Sequence, residues 1–437
     1  MVARRAARWS AALAAALALA ACGGGSDAPA GSTGCDLASQ QGWLRAYMLD
    51  WYYWSGRSPN PEPAGFTTLA SYFNALKFAS YGTIGVEPWS YFQDSASYNR
   101  FFSEGQTLGY GLFVNGIERQ LPMRVRMTEP LSPAAAAGLV RGDAIVSVNG
   151  VAAADLINGD FSVLSPAQAG DRITVVADTA TGQRSFELAA AVYALTPVPV
   201  ARVLTLPGGV KAGYVMLKDF ITQAEAPLAG ALADLRTQGA TELIVDLRYN
   251  GGGRISTASR LASLIAGAAN AGRPFVELRY NAAHQGSNNT YFFGIGPGPA
   301  FGRVLVLTGA RTCSASELIV NGLAPHVNVV TLGGTTCGKP YGFNPVASCG
   351  NTFSAVNFQS YNAAGYGGYD QGLAPTCPVA EDFAGVLGDP AEKLTAAASS
   401  YLQTGACPAA GTPATAARTR LRRALVEPGD RQGMVAD

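Results

Sequence analysis

From residue 213 onward, short apolar runs alternate with stretches in which apolar residues recur at helical spacing. The runs predict buried strands, and the stretches between them predict helices. Such alternation needs crossover connections, which favour a mainly parallel sheet covered by helices. The predicted elements are strands at 213–217, 242–247, 303–308 and 327–332 and helices at 224–238, 255–268, 315–323 and 394–402.

Residues 36–104 are rich in aromatic side chains. In two stretches the apolar residues recur at i, i+3, i+4 and i+7, which predicts amphipathic helices. These faces are Leu44, Tyr47, Met48 and Trp51 in the first stretch and Leu69, Tyr72, Phe73 and Leu76 in the second. We predict a small helical cap domain whose aromatic side chains form its core rather than a sugar-binding platform.

Residues 105–195 are predicted to be rich in β structure. After a predicted strand at 123–127 comes SPAAAAGLVRGDAIVSVNG, where an Ala-rich helix closes at Gly138 and Asn149-Gly150 indicates a tight turn. This run resembles the helix, turn and strand of PDZ domains, which bind a peptide as an added strand. By that resemblance, Gly111-Leu112-Phe113 forms the loop that binds the peptide carboxylate. The alternative is a β domain that binds no peptide.

The start of the chain resembles an export signal. Three arginines precede an Ala/Leu run at 11–21, which is too short to span a bilayer. The run ends in Leu-Ala-Ala-Cys22, which resembles a bacterial lipobox. We predict a lipoprotein signal peptide at 1–22, a lipid anchor on Cys22 and a Gly/Ser-rich flexible tether at 23–35. An ordinary signal peptide with a chance cysteine is the alternative.

The chain has 437 residues, and a domain built around one hydrophobic core rarely exceeds about 250–300 residues, so more than one domain is expected. The predicted fold is multidomain α+β: the helical N-terminal domain, the PDZ-like β-rich domain, and an α/β catalytic core with a mainly parallel sheet at 196–407. Residues 408–437 are Ala/Thr/Pro-rich and then basic, and are predicted to be a disordered tail. A net charge of +1 does not indicate a nucleic-acid partner.

Residues 246–253, DLRYNGGG, follow a predicted buried strand and precede a helix. Consecutive glycines let the backbone approach a ligand and expose N–H groups at a helix start. A phosphate-binding loop is one candidate, but no Gly-Lys-Ser/Thr follows. An oxyanion hole for acyl transfer is the other.

Residues 312–317, TCSASE, connect a predicted strand to a helix. A serine at such a turn, here Ser314, faces the helix N-terminus as in a nucleophile elbow, although the sequence is not GxSxG. Alternatively, Ser314 and Glu317 form only a helix capping box.

Residues 336–342, TCGKPYG, hold Lys339 in a glycine-bounded apolar loop. Desolvation there favours the neutral amine, which can take a proton from a serine hydroxyl. The alternative is a surface lysine.

Together these three segments resemble the carboxyl-terminal processing (tail-specific) protease family, whose members carry DLRxNxGG, SASE and TxGK motifs, usually behind a PDZ domain. The resemblance covers about residues 105–400, and the Ser-to-Lys spacing, 339 − 314 = 25, is that of the family's Ser/Lys dyads. It implies that Ser314 is the nucleophile and Lys339 the general base. Ala315 N–H would be one oxyanion donor.

The resemblance also favours Gly252 as the second oxyanion donor, because relatives often carry Pro, which has no N–H, where Gly251 stands. Glu317 lies one helical turn from Ser314, and some relatives have an acid there near the dyad. We expect Glu317 to orient Lys339 or only to cap the helix.

Two positions depart from the family pattern. Many members place Gln four residues after the lysine, where this chain has Phe343, and some place Asp eleven after the serine, where it has Pro325. The third polar partner of the dyad is therefore unassigned, with Asn344 as a candidate. These departures leave an inactive protein open.

Other catalytic groups are poorly supported. A Ser/His/Asp triad is disfavoured because the only histidines are His284, in a polar loop, and His326, beyond the predicted helix. Cys313 lacks a histidine partner and would be oxidised in an export compartment. Six cysteines remain beside Cys22, which predicts disulfides; Cys313–Cys337 is one candidate bond, and Cys337–Cys349 competes with it.

The sequence therefore predicts a serine endopeptidase of the bacterial cell envelope, lipid-anchored and facing the periplasm, that needs no metal or cofactor. Its predicted partners are protein or peptide substrates with free C-termini, docked on the PDZ-like domain. The alternatives are an inactive relative acting as a peptide-binding lipoprotein and a hydrolase of non-peptide esters. The sequence indicates neither the oligomeric state nor the natural substrate.

Overall fold

The computed structural model describes residues 34–82, 85–118, 120–159, 161–408 and 433–436. The predicted signal peptide, Cys22 and nearly all of the predicted tether lie outside these ranges. Within them, no helix combines the length and the apolar character needed to cross a bilayer.

The segment 36–104 contains the two helices that the apolar spacing predicted. Each begins at a capping side chain: Asp36 accepts a hydrogen bond from Ser39 N–H and Thr68 from Ser71 N–H, which satisfies a backbone donor at the helix start. The predicted faces of both helices are buried apart from Leu69. Its elements are α1 (Leu37–Trp51), α2 (Leu69–Leu76), β1 (Tyr91–Asp94) and α3 (Ser95–Phe102).

The segment 105–195 is built on an antiparallel sheet in the order β3-β4-β5-β7-β8, with β6 paired to β5 and a separate β2-β9 pair. Gly138 ends α4 at φ 89°, and Asn149 and Gly150 both have positive φ at the β5–β6 hairpin, as the sequence predicted. The elements are β2 (Gln106–Gly109), β3 (Leu112–Val114), β4 (Met123–Thr128), α4 (Pro133–Ala137), β5 (Ala144–Val148), β6 (Val151–Ala152), α5 (Ala153–Asn158), β7 (Arg172–Thr179), β8 (Gly182–Ala189) and β9 (Ala191–Ala194).

The remaining segment contains two sheets with helices packed on them. Its elements are β10 (Val200–Thr205), β11 (Lys211–Met216), α6 (Glu225–Thr237), β12 (Glu242–Asp246), β13 (Gly252–Arg254), α7 (Ile255–Ala266), β14 (Pro274–Tyr280), β15 (Asn289–Phe292), β16 (Val304–Thr308), α8 (Ala315–Leu323), β17 (Val329–Gly333), β18 (Tyr341–Phe343), β19 (Val346–Ser348), β20 (Asn351–Ser354), β21 (Val356–Asn362), β22 (Cys377–Pro378), α9 (Lys393–Thr404) and β23 (Gly433–Val435).

The first of these sheets has the order β10-β11-β12-β16-β17-β22. All its pairs are parallel except β10 with β11, so the prediction of a mainly parallel sheet is confirmed. Strands β12 and β16 are almost wholly buried, which matches their continuous apolar sequence. The carboxyl ends of these two strands lead directly into the DLRYNGGG and TCSASE segments.

The second sheet, β13-β23-β18-β21-β14-β15, corrects the prediction for the tail. Residues 408–437 were expected to be disordered, and for 433–436 this is wrong. Gly433–Val435 form β23 between β13 and β18, and Ala436 N–H donates to Phe343 O, while 409–432 and 437 lie outside the described residues. The strand was missed because its pairing partners are far away in sequence, so no local pattern marks it.

The aromatic core of the helical segment is shared with the α/β segment. Its cluster includes Tyr341, Phe343, Phe353 and Val356 from the α/β segment. Strand β1 also pairs with β20. Helical periodicity predicted correctly that the aromatic side chains are buried. It did not show that they pack against the strand that follows the Lys339 loop.

Candidate active site

Ser314 lies at the turn between β16 and α8, in a conformation that L-residues rarely adopt. Its backbone has φ 60° and ψ −115°, and its side chain is fully buried. Its Oγ makes no normal hydrogen bond with any described residue. Such strain persists only where the surroundings hold it, and it concentrates at functional sites, as do buried hydroxyls without partners.

Glu317 connects the serine turn to the lysine loop. Its Oε2 accepts the backbone N–H of Ser314 (2.9 Å) and of Lys339 (2.9 Å), and its Oε1 accepts Gly338 N–H (2.8 Å) and Thr336 Oγ1–H (2.5 Å). Burial raises the pKa of Glu317, although these hydrogen bonds act in the opposite direction. Both halves of the capping-box alternative are in contact, but only the bond from Ser314 N–H to Glu317 has normal geometry; the contact between Glu317 N–H and Ser314 Oγ lies outside it.

Lys339 is fully buried, unlike the surface lysine of the alternative interpretation. Its Nζ lies over the ring of Phe343, 3.9 Å from the centroid, and 5.7 Å from the ring centroid of Trp89. Because Ser314 Oγ makes no hydrogen bond of normal geometry with a described residue, the hydrogen bond of a Ser/Lys dyad is not formed in this structure. Phe343 thus places an aromatic face against the amine, at the position where the family resemblance led us to look for a Gln.

Asn250 holds the glycine loop against the serine turn. Its Nδ2 donates to Leu217 O (3.0 Å), and its backbone oxygen accepts Cys313 N–H (3.1 Å) and Ser316 Oγ–H (2.9 Å). Its Oδ1 accepts the N–H of Gly252 at 2.8 Å. The N–H predicted to bind an oxyanion is therefore engaged by Asn250 here. Sequence reasoning gave Asn250 no role, although it lies inside the DLRYNGGG motif.

Ala315, the other predicted oxyanion donor, is the first residue of α8 and is fully buried. Its N–H is one of the first four of the helix, which have no acceptor within the helix. The N–H is therefore available, by helix geometry, to an oxygen located beside Ser314.

A disulfide joins Cys313, directly before Ser314, to Cys337, two residues before Lys339. This decides between the two pairings left open by the sequence, because Cys349 instead bonds to Cys35, and Cys377 bonds to Cys407. Cys313, Cys337 and Glu317 offer three potential metal donors close together. Both sulfurs are consumed by the disulfide, so this cluster is not a metal site.

A buried ion network below the glycine loop was not anticipated. Arg248 pairs with Asp246 (2.9 Å) and Glu392 (2.7 Å), and its Nη1 lies 3.2 Å from Glu381. Tyr249 donates its hydroxyl proton to Glu381. Such a network fixes DLRYNGGG at the edge of the sheet, because each charge in the low-dielectric interior needs its partner.

The β-rich segment docks on this network and on the serine turn. Arg141 bonds to Glu381 (2.8 Å) and to Tyr249 Oη (2.5 Å). Arg311, three residues before Ser314, donates to Val114 O of β3 (3.2 Å) and pairs with Glu118. The β-rich segment therefore touches both the glycine loop, through Tyr249, and the serine turn, through Arg311.

The residues predicted to bind a peptide carboxylate lie at the start of β3. Gly111 has φ 70°, and a Cβ there would come within 2.0 Å of Ser132 Cβ, so the position requires glycine. Leu112 packs in the core of the β-rich segment, whereas Phe113 packs in a cluster with Tyr249 and Leu204 of the α/β segment. Strand β3 is the terminal strand of its sheet.

The remaining candidates contact other residues or lie beyond the end of α8. Asn344 bonds through its side chain to Tyr280 Oη (3.0 Å), and Pro325 is exposed beyond the end of α8. His326 lies at that same end, roughly 13 Å along the helix from Ser314. His284 stacks on Trp51 and pairs with Asp50 (2.7 Å). None of the four is a third partner for Ser314 and Lys339 in this arrangement.

Comparison with known proteins agrees with this geometry. Residues 211–379 match the pattern described as "Peptidase family S41", and residues 39–91 match "Peptidase S41 N-terminal domain". The chain belongs to peptidase family S41. The two matches include the glycine loop, Ser314, Lys339 and the aromatic segment that packs against β18.

Individual relatives are distant. The chain is 26% identical over 239 residues to a carboxyl-terminal-processing protease of Picosynechococcus sp., covering 54% of this chain and 55% of the relative. It is 26% identical over 249 residues to carboxyl-terminal-processing peptidase 3, chloroplastic, of Arabidopsis thaliana, covering 55% and 47%. It thus spans about half the length of these curated relatives.

A solved structure shares the fold over most of the chain. The putative S41 protease from Bacteroides fragilis superposes with a TM-score of 0.66 at 23% identity, covering 83% of this chain and 97% of that one. At this level of identity the likeness concerns the fold alone.

Proposed function

We propose that this protein is a serine endopeptidase in which Ser314 is the nucleophile and Lys339 the general base. The observation that carries the proposal is the strained, buried Ser314, whose turn is tied to the Lys339 loop by one disulfide and by one shared carboxylate. Acyl transfer requires its groups to be positioned within fractions of an ångström. Two separate connections between the same two loops supply such a constraint.

The reaction follows from the chemistry of these groups. Ser314 Oγ attacks a backbone carbonyl carbon while the neutral amine of Lys339 takes the hydroxyl proton. Lys339 then gives that proton to the leaving amine as the C–N bond breaks. Water attacks the resulting ester while Lys339 takes a proton from it, and Lys339 returns that proton to Ser314 Oγ as the C–O bond breaks.

Ala315 N–H and Gly252 N–H are the proposed oxyanion donors. Such donors stabilise the charge that develops on the carbonyl oxygen in the transition state. For Gly252 this requires its N–H to exchange Asn250 Oδ1 for the substrate oxygen. Glu317 acts as a positioning residue, because its contacts are to the backbones of Ser314 and Lys339 rather than to the reacting atoms.

The proposed substrates are proteins with accessible C-terminal segments. Relatives bear the name carboxyl-terminal-processing protease, and in this chain β3 is a terminal strand to which an extended peptide can be added. Gly111, Leu112 and Phe113 are the proposed contact residues. The proposed location is the bacterial envelope, with a lipid anchor on Cys22. Incorporation of labelled palmitate into the wild type and not into Cys22→Ser tests the anchor.

The central experiment is hydrolysis of an unstructured protein by the wild type, Ser314→Ala and Lys339→Ala. Loss of the nucleophile or the base should reduce kcat at least about 1,000-fold. Ser287→Ala and Lys393→Ala, at exposed positions, are matched controls and should keep wild-type rates. Equal rates in all five proteins would refute the assignment.

One observation favours a second candidate, a peptide-binding protein without activity. Phe343 replaces the amide found in many relatives, and its ring lies against Lys339 Nζ at 3.9 Å. Labelling of Ser314 by a fluorophosphonate probe would contradict this candidate. Peptide binding without labelling or cleavage would support it. Hydrolysis of esters but not of proteins would instead indicate the ester-hydrolase alternative.

A further inference from the structure

Strand β23 lies between the two strands that adjoin the catalytic segments. On one side it runs parallel to β13, with Gly433 opposite Gly252, Met434 opposite Gly253 and Val435 opposite Arg254. On the other side Val435 lies opposite Phe343, and Ala436 N–H donates to Phe343 O at 2.9 Å. In the order of this sheet, β23 separates the glycine strand from the strand that follows Lys339.

The position of β23 is the one that a substrate strand needs. Helix α8, which begins directly after Ser314, lies against both β13 and β23. A peptide cleaved by Ser314 must bring its carbonyl oxygen to Ala315 N–H and Gly252 N–H. An extended peptide does this by running along β13, where Gly433 already faces Gly252.

Val435 is anchored in an apolar pocket and is 3% exposed. The pocket is contributed by all three segments of the chain, through Phe101, Phe102, Tyr193, Leu195 and Ile221. Burial of one valine side chain contributes about 2 kcal/mol. With the backbone pairing on both sides, this contact gives a short strand a defined register.

The catalytic groups are not joined while β23 is in the cleft. Ser314 Oγ makes no hydrogen bond of normal geometry with a described residue, and Phe343, which pairs with β23, has its ring against Lys339 Nζ. We propose that residues 433–436 are an intramolecular substrate analogue, which fills the substrate-strand position and inhibits the peptidase until a substrate displaces it. This inference rests on the proposed function.

The proposal predicts competitive behaviour with a calculable size. If β23 occupies the position between β13 and β18 in a fraction of the molecules, substrate binds only to the molecules in which that position is open. The apparent KM then equals the intrinsic KM divided by the fraction of open molecules. An occupancy of about 90% raises the apparent KM about ten-fold. The maximal rate is unaffected, because saturating substrate displaces the strand.

The first test compares the full chain with Val435→Asp, which places a charge in the apolar pocket, in hydrolysis of an unstructured protein. KM should fall about ten-fold with kcat unchanged. Val210→Asp, at an exposed position on the β10–β11 hairpin, is the matched control and should leave KM unchanged. An unchanged KM in Val435→Asp would overturn the proposal.

A binding test separates this inference from the proposed function. A fluorescent peptide with the sequence of residues 429–436, Gly-Asp-Arg-Gln-Gly-Met-Val-Ala, is titrated into the Ser314→Ala/Val435→Asp protein, and its anisotropy is measured. Saturable binding, lost when the peptide valine is replaced by aspartate, supports the inference even if the wild type cleaves nothing.

Absence of binding, in a protein whose wild type does cleave substrates, overturns the inference alone. Mass spectrometry adds a third outcome. Cleavage within 429–436 by the wild type, and not by Ser314→Ala, would overturn the inhibitory role, because the segment would then be a substrate.

Discussion

Replacing Glu317 with Gln tests whether one carboxylate fixes the positions of the proposed nucleophile and the proposed base relative to each other. The carboxylate accepts four hydrogen bonds: Ser314 N–H and Lys339 N–H on Oε2, and Gly338 N–H and the Thr336 hydroxyl on Oε1. A glutamine of the same shape keeps one oxygen and places an NH2 group at the other. The consequence depends on which pair of donors faces the new NH2.

The two orientations differ in the number of donors left without an acceptor. With the NH2 toward Ser314 and Lys339, two buried backbone N–H groups lose their acceptor. With the NH2 toward Thr336, the hydroxyl can rotate and accept, so only Gly338 N–H is left unpaired. The second orientation is therefore favoured. One buried unsatisfied donor costs about 1–3 kcal/mol, so Glu317→Gln should lower the free energy of unfolding by about 2 kcal/mol.

Glu317→Ala leaves all four donors without this acceptor and should cost at least about 4 kcal/mol, a large share of a typical domain's stability. The glutamine variant is therefore the informative one, because it is expected to fold. A shift of about 1 Å in a catalytic group can reduce the rate about 100-fold. Glu317→Gln should thus lower kcat by about ten- to 100-fold with little change in KM.

The assay combines urea denaturation with steady-state hydrolysis of an unstructured protein. Glu225→Gln is the matched control, because Glu225 accepts a side-chain hydrogen bond from Thr257 alone among the described residues. It should change stability by about 1 kcal/mol or less and leave kcat unchanged. A Glu317→Gln protein with wild-type stability and wild-type kcat would refute the argument. A loss of stability alone would leave Glu317 with a purely structural role.

Three further predictions concern the supports of the site. Burial acts to raise the pKa of Glu392, but the hydrogen bonds and charge of Arg248 outweigh it and lower the pKa to about 2. Because the folded-state pKa is below the unfolded value, Glu392 should contribute about 3 kcal/mol to the free energy of unfolding above pH 4.5, and this contribution should be lost as the pH falls toward 2. In urea denaturation at a series of pH values, the free energy of unfolding of Glu392→Gln should depend less on pH than that of the wild type. Gly338→Ala should lower the free energy of unfolding by at least about 3 kcal/mol, measured by heat or urea, because Gly338 has φ 83° and a Cβ would lie 2.6 Å from Asp370 O. The control, Gly272→Ala, should lower it by only about 1 kcal/mol, because Gly272 has φ 75° but open space around it. Cys313→Ser/Cys337→Ser removes a disulfide between residues 24 positions apart, and Cys377→Ser/Cys407→Ser removes one between residues 30 positions apart. Both variants should therefore lose about 3 kcal/mol of stability, but only the first should have a lower kcat. Equal kcat values in the two variants would contradict a positioning role for the Cys313–Cys337 bond.

Local patterns predicted the elements that depend on local physics. The apolar spacing of Leu44, Tyr47, Met48 and Trp51 gave the buried face of α1. The Asn149-Gly150 pair gave the hairpin turn, since both residues adopt positive φ. The apolar runs of β12 and β16 predicted strands of a parallel sheet, and the positions of Ser314 and Lys339 followed from motifs at the ends of such strands.

Contacts between distant residues were beyond such patterns. Arg248 bonds to Glu392 across 144 residues, and neither side chain has a local signal for its partner. Strand β23 forms only because β13 and β18 provide pairing partners on both sides. The family resemblance drew attention to Phe343, because many members have Gln at that position. It did not indicate that the phenylalanine ring would lie against the amine of Lys339.

The backbone frame of the candidate site is complete although the side chains of Ser314 and Lys339 form no hydrogen bond of normal geometry with each other. Ser314 N–H and Lys339 N–H share one oxygen of Glu317, so the two backbones are fixed relative to each other. Forming the Ser314–Lys339 hydrogen bond therefore requires side-chain rotation and the loss of the contact with the Phe343 ring, which is worth about 0.5–2 kcal/mol. The binding energy of a substrate strand that replaces Val435 in its pocket, about 2 kcal/mol for one apolar side chain, is of the size needed for that rearrangement. In the proposed mechanism, activation by substrate is then a change of rotamers within this frame, together with the exchange of the hydrogen bond between Gly252 N–H and Asn250 Oδ1.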